Sequence, residues 1–159
     1  MAKMLITYHS RGGNTRAMAE LVRDGAAGVN GLELDLRPVS EVEANSLVGY
    51  DAIVIGSPTY YGLPAAEVKK LLDDSVALHG RLEGKVGGAF ASSANVGGGN
   101  ETTILAILQA LLIHGMVVPG VPNGDHYGPV SIGAPDRRAG NQCREYGKRI
   151  ATLAKRLHG

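Results

Sequence analysis

The feature that most limits this chain's fold is an alternation: five short apolar runs, each followed by a stretch with helical spacing. The runs are Lys3–Tyr8, Leu32–Leu36, Asp51–Gly56, Lys85–Ala91 and a fifth that opens at Met116-Val117-Val118-Pro119. Between them, apolar residues recur at i, i+3, i+4 spacing from about Thr15 (Met18, Leu21, Val22, Gly25, Val29), after Pro64 (Val68, Leu71, Leu72) and over Glu101–His114. A closing helix is expected over Arg138–Leu157, with Cys143, Tyr146, Ile150, Ala154 and Leu157 on one face. Ser40–Val48 holds only a weak helical turn, and residues 120–135 are rich in turn residues and receive no assignment. Strands separated by helices pair in parallel, and a continuous apolar run such as Ala52–Ile55 suits a central strand covered on both faces. The expectation is an α/β chain with a doubly wound parallel sheet, and 159 residues fit one domain spanning 1–159.

Ligands of such sheets sit beyond the carboxyl ends of the strands, where strand order reverses. Three loops leave from that edge: Ser10-Arg11-Gly12-Gly13-Asn14-Thr15, Ser57-Pro58-Thr59-Tyr60-Tyr61-Gly62 and Ser92-Ser93-Ala94-Asn95-Val96-Gly97-Gly98-Gly99. Much of the chain's complement of 23 glycines lies in loops and at strand ends, as expected where backbone groups make a site. The first loop leads into a helix, so its unpaired N–H groups and hydroxyls form an anion site. Alternatively, Asn14 or Thr15 only caps that helix. Three converging loops of similar chemistry favour a ligand.

Several chemistries are excluded. There is no G-x-x-x-x-G-K-[ST] loop and no G-x-G-x-x-G after a strand, and Asp35 reads as a solvated strand residue rather than a ribose-binding acid. The ends of the first and third strands carry Tyr8 and Gly56, not the acids that a phospho-acceptor site needs around a divalent ion. The single cysteine, Cys143, lies inside the last helix, which argues against a disulfide and a thiol nucleophile, and the five histidines are scattered without triad spacing or a metal-ligand cluster. A net charge of +1 implies no nucleic-acid partner, and the longest apolar stretch, Ile104–Ile113, is too short for membrane insertion. A cytoplasmic location is expected.

The three loops resemble the FMN-binding loops of the flavodoxin-like superfamily. Within it, Gly56-x-Pro58-Thr59 followed by an aromatic, Phe90-x-Ser92-Ser93 with the triple glycine, Glu101-x-Thr103 and His114-Gly115-Met116-Val117 are similar to the WrbA-type NAD(P)H quinone oxidoreductases, from Lys3 to Leu157. The resemblance implies a flavodoxin-like three-layer fold with a five-stranded sheet of order 2-1-3-4-5 and FMN as cofactor. It implies that Ser10, Arg11, Gly12, Gly13, Asn14 and Thr15 bind the phosphate, with Arg11 either touching it or pointing into solvent. Pro58, Thr59, Tyr60, Tyr61 and Gly62 would meet the ring and ribityl chain, and Ser92, Ser93, Ala94, Asn95, Val96, Gly97 and Gly98 would line the other side.

The chain also departs from that pattern. The segment Ser40–Tyr50 is too short for the family's tetramer-supporting insertion, Ile113 stands where the family has a flavin-contacting histidine, and the family's tryptophan is missing. Two function classes stay open: an enzyme passing electrons from NAD(P)H through FMN to a quinone or similar acceptor, and a flavodoxin-type carrier serving redox protein partners. Near-neutral charge favours the first, because carriers are generally acidic. No side chain is expected to do the chemistry itself. His126 and Tyr127 either border the open flavin face and position substrate or only pack their loop, and assembly is open between monomer and homo-oligomer.

Overall fold

The computed structural model describes residues 1–159. Six strands are formed: β1 (Ala2–Tyr8), β2 (Leu32–Pro38), β3 (Ala52–Tyr60), β4 (Leu63–Pro64), β5 (Val86–Ser93) and β6 (Val130–Ile132). The four α-helices are α1 (Asn14–Ala27), α2 (Ala66–Asp74), α3 (Asn100–Ile113) and α4 (Arg137–His158). Five strands form a parallel sheet in the order β2-β1-β3-β5-β6, while β4 pairs antiparallel with the end of β3. The segment between β2 and β3 holds two short 3-10 turns, Val39–Glu41 and Ala44–Gly49, where the weak helical turn was expected.

The strands bury both faces because successive side chains point to opposite sides. Leu5, Ile53, Ile55, Ala89 and Ala91 pack under α2 and α3, whereas Met4, Ile6, Val54, Val86 and Phe90 pack under α1 and α4. The α1–α4 pair comes close enough to need glycine on both sides. A Cβ on Gly25 would collide with the Arg144 carbonyl, and one on Gly147 with that of Val22.

The expected five-stranded sheet of order 2-1-3-4-5 needs correction in two places. First, Tyr60-Tyr61-Gly62-Leu63 is a tight hairpin, and its return limb is the extra strand β4. Tyr61 and Gly62 have φ of 52° and 76°, the sign required at both centres of a two-residue turn that matches strand twist. Second, the run Met116–Pro119 is not a strand. Val117 makes one bridge to Val86, after which the chain leaves the sheet and returns as β6 beside Ala91–Ser93. Pro119 and Pro122 cannot donate to a ladder, so the edge position is filled in two pieces.

The gap is closed from the opposite direction. Gly87 N–H donates to Val117 O and Ala91 N–H to Pro129 O, but between them Ala89 N–H donates to the Tyr146 hydroxyl of α4 at 3.2 Å. A buried tyrosine thus supplies the acceptor that a continuous strand would have supplied. Burial pushes the Tyr146 phenol up to about 12, so it stays protonated.

Asp35 also departs from expectation. Its carboxylate is only partly exposed and accepts from Arg37 Nε at 2.8 Å and from the Tyr50 hydroxyl at 2.6 Å, tying the 3-10 segment to β2. Burial alone would raise its pKa, but these hydrogen bonds outweigh it and hold the carboxyl below its ordinary value.

Candidate FMN site

The loop after β1 is shaped by one hydroxyl. Ser10 Oγ accepts the N–H groups of Gly13 at 3.1 Å and Arg16 at 3.2 Å, so it spans the entry to α1, whose N-cap residue, Gly13, sits at φ 99°. The capping role considered for Asn14 or Thr15 therefore belongs to Ser10. The N–H groups of Arg11, Gly12, Asn14 and Thr15 find no acceptor in the loop or in the helix. Four free donors at a helix N-terminus make a receptor for an anion. Arg11, exposed beside them, adds the only charged side chain to the cleft lining.

Thr15 links this loop to the third. Its side chain is buried, and Oγ1 lies 3.0 Å from Ser92 Oγ at the end of β5. Beyond Ser92, Asn100 Nδ2 donates to Ser93 Oγ at 3.0 Å, and Ser93 Oγ donates to Asn95 O at 3.0 Å, which folds the loop back onto the start of α3.

The second loop is clamped to the same helix. Thr102 Oγ1 donates to Gly62 O at 2.7 Å, Thr103 Oγ1 lies 3.1 Å from Thr59 Oγ1, and Ser57 Oγ accepts the Ala65 N–H at 2.9 Å. Gly99 meets the hairpin backbone to backbone: it has φ 98°, and a Cβ there would lie 2.6 Å from Gly62 Cα. The hairpin tip is the strained point of the chain, because Tyr61 is the only non-glycine residue with positive φ and its side chain is fully exposed.

Together the loops enclose a cleft of about 230 Å³, lined by Ser10, Arg11, Gly12, Asn14, Thr15, Pro58, Thr59, Tyr60, Ser92, Ser93 and Ala94, with Gly133 added. Gly133 was not singled out in the sequence. It reaches the cleft because its N–H donates to Ser93 O at 2.8 Å, directly after the short β6. Of the remaining expected residues, Gly13 shapes the first loop, and Tyr61 and Gly62 form the hairpin turn. Asn95, Val96, Gly97 and Gly98 are exposed on the outer side of the third loop, outside the lining. His126 and Tyr127 also lie outside it, exposed, with His126 Nδ1 2.8 Å from Val121 O across their own loop. Asn100, which reads in the sequence as the end of the third loop, and Thr102 and Thr103, which read as the start of the following helix, hold two of the loops, a role no local pattern shows.

The residues present fit FMN. Free N–H groups suit its phosphate, the hydroxyls of Thr59 and Ser93 suit a polyol, and Tyr60 offers an aromatic face. Residues 4–126 match the NADPH-dependent FMN reductase family. The chain belongs to this family. It is 39% identical to a flavodoxin of Aquifex aeolicus, over 95% of this chain and 86% of the relative. It is 34% identical to the NAD(P)H dehydrogenase (quinone) of Archaeoglobus fulgidus, over 99% of this chain and 100% of the relative. That alignment runs over 191 residues against the 159 of this chain, so the relative carries segments that this one lacks. Among solved structures, a flavodoxin, WrbA-like protein from Agrobacterium tumefaciens superposes with a TM-score of 0.83 at 28% identity, covering 99% of both chains. The flavodoxin-like, WrbA-type resemblance and the expectation of FMN as cofactor are thereby borne out.

Proposed function

We propose that residues 1–159 form one FMN-binding domain, an oxidoreductase that takes a hydride from NAD(P)H and delivers electrons to a quinone or similar acceptor in the cytoplasm. The observation that carries this reading is the set of four free N–H groups at the start of α1, opening into a cleft bounded by hydroxyls and an aromatic ring. When bound, FMN supplies the hydride-accepting centre and the two-electron storage.

The chain's own residues bind and orient. The N–H groups of Arg11, Gly12, Asn14 and Thr15 would hold the phosphate, and Thr15 and Ser92 keep the two loops in register. Thr59 and Tyr60 on one side, and Ser92, Ser93 and Ala94 on the other, frame the polyol and ring. Tyr61, fully exposed at the hairpin tip next to Tyr60, would be free to meet the ring edge. His126 and Tyr127 stand at the surface of the loop that leads into β6, from which they meet an incoming nicotinamide or quinone.

Electrostatics supports two-electron chemistry. No Asp or Glu lines the cleft, so negative charge gained on reduction meets no fixed anion there. Identity to a flavodoxin supports the second reading, a carrier between redox proteins without NAD(P)H activity of its own. Anaerobic mixing of FMN-loaded protein with NADPH or NADH separates them. Rapid loss of the flavin's visible absorbance, restored by a simple benzoquinone, is the expected result. An unbleached flavin with both coenzymes would leave only the carrier.

A further inference from the structure

The break along the sheet edge between Val117 and β6 leaves a second cleft, of about 650 Å³, between the loop that follows Val117 and the outer face of α4. Its floor is Tyr146. The Tyr146 hydroxyl is turned inward to β5, where it accepts from Ala89 N–H, so the ring alone underlies the cleft. Its walls carry Lys148, Arg149 and Arg156 from α4, with Gln142 and Asn123 as neutral hydrogen-bonding groups.

The charge here is in surplus. Residues 137–158 hold seven of the chain's 16 basic residues and one of its 15 acidic ones, so α4 carries +6 while the remainder carries −5. Only Arg138 of the seven is in an ion pair, with Asp125 at 2.8 Å. Asp125 lines the cleft, but its charge is spent on Arg138 and on the Val130 N–H. Lys148, Arg149 and Arg156 therefore face only the unpaired Glu145 within the cleft. A polar cleft with clustered cations outside any ion pair suits a phosphate-bearing ligand better than an apolar one.

The cleft is joined to the FMN site by the chain itself. Its loop wall ends at Pro129, continues through β6 and reaches Gly133, which lines the FMN cleft. Lys148 and Arg149 lie about 18 Å along α4 from its N-terminal end, which follows shortly after Gly133. An extended dinucleotide bridges such a separation between its nicotinamide ring and its adenosine phosphate. We infer that the cleft between α4 and the loop after Val117 binds the 2′-phosphoadenosine end of NADPH through Lys148 and Arg149, and so selects NADPH over NADH. The inference rests on the reductase reading.

The test has a kinetic and a binding arm. In the kinetic arm, the NADPH-to-NADH ratio of kcat/KM is compared between wild type and the double variant Lys148→Gln/Arg149→Gln. It should fall about tenfold or more, the scale of losing a charge-assisted hydrogen bond. Glu145→Gln, which removes the opposing charge, should raise the ratio, and Lys70→Ala on α2 should not move it. In the binding arm, calorimetry of the FMN-loaded protein should show adenosine 2′,5′-bisphosphate binding more tightly than 5′-AMP, with the difference lost in the double variant. A ratio unchanged in the double variant, or equal binding of the two nucleotides, overturns the inference. A wild type that oxidises neither coenzyme fails the reductase reading instead, and the binding arm still decides whether the cleft takes a phosphate-bearing nucleotide.

Discussion

Replacing Gly99 with Ala tests whether the third loop positions the hairpin by direct backbone contact. Gly99 has φ 98°, where an L-residue costs about 1–2 kcal/mol. The new Cβ would also lie 2.6 Å from Gly62 Cα, well inside the separation of about 3.5 Å at which carbon atoms pack. The hairpin must retreat by most of an ångström, which breaks the Thr102 Oγ1–Gly62 O bond and adds about 1 kcal/mol. The expected loss is about 2–3 kcal/mol of apoprotein stability in urea. FMN affinity should also fall about tenfold, read by quenching of flavin fluorescence, because Thr59 and Tyr60 move with the hairpin. Gly97→Ala is the matched control. Its φ is also positive, at 67°, but nothing lies within 4 Å of its added Cβ. It should pay only the conformational cost and keep its FMN affinity. If both variants lose the same stability and bind FMN equally, contact between the loops is not what holds the hairpin.

Two further outcomes follow from groups outside the FMN cleft. Tyr146→Phe leaves the Ala89 N–H buried without an acceptor and should cost about 1–3 kcal/mol in urea denaturation, with the slope unchanged. His114 is buried with Nε2 2.8 Å from Ser75 Oγ, and burial, with nearby His79 adding to it, holds its pKa below the ordinary 6.5. The folded protein keeps it neutral while the unfolded chain takes up a proton near 6.5, so its contribution is complete above that pH and is lost as pH falls. Stability should drop by up to about 1.4 kcal/mol per pH unit on that limb. His114→Gln should flatten the difference in thermal melts taken between about pH 5 and 8.

The elements that came through in the sequence are those whose burial leaves a long periodic trace. The apolar run Ala52–Ile55 marks a strand covered on both sides, and the face Cys143, Tyr146, Ile150, Ala154 marks α4. The three loops were legible because backbone-built sites draw on a narrow set of residues, and two of them follow strands whose assignment was secure. The misplaced fifth strand has the opposite cause. Met116–Pro119 is apolar enough for a strand, yet its partner's N–H at Ala89 is satisfied by a side chain 57 residues away, a trade that no local pattern reveals. The strand that does complete the sheet is three residues long, with Ser131 buried at its centre, too short for alternation to show. Gly133 was missed for the same reason, since it enters the cleft only by following β6. The hairpin had a signal that was read as loop. Tyr61-Gly62 is a two-residue turn, and a bulky residue at its first centre hid the φ requirement that Asn or Asp would have advertised.

The tyrosine that replaces a strand also determines where this chain can change length. In an ordinary parallel sheet, an insertion within the edge strand breaks a ladder and is eliminated. Here the ladder at Ala89 is completed by α4, so residues 120–124 hold no β5 hydrogen bond and lengthening them costs mainly loop-closure entropy, about 0.6 kcal/mol per doubling. The limit is Gly128, where a Cβ would strike the Ala89 carbonyl, so growth is confined to the segment before it. A change of length there leaves the sheet and the three loops at its carboxyl edge intact, and reshapes only the wall of the second cleft.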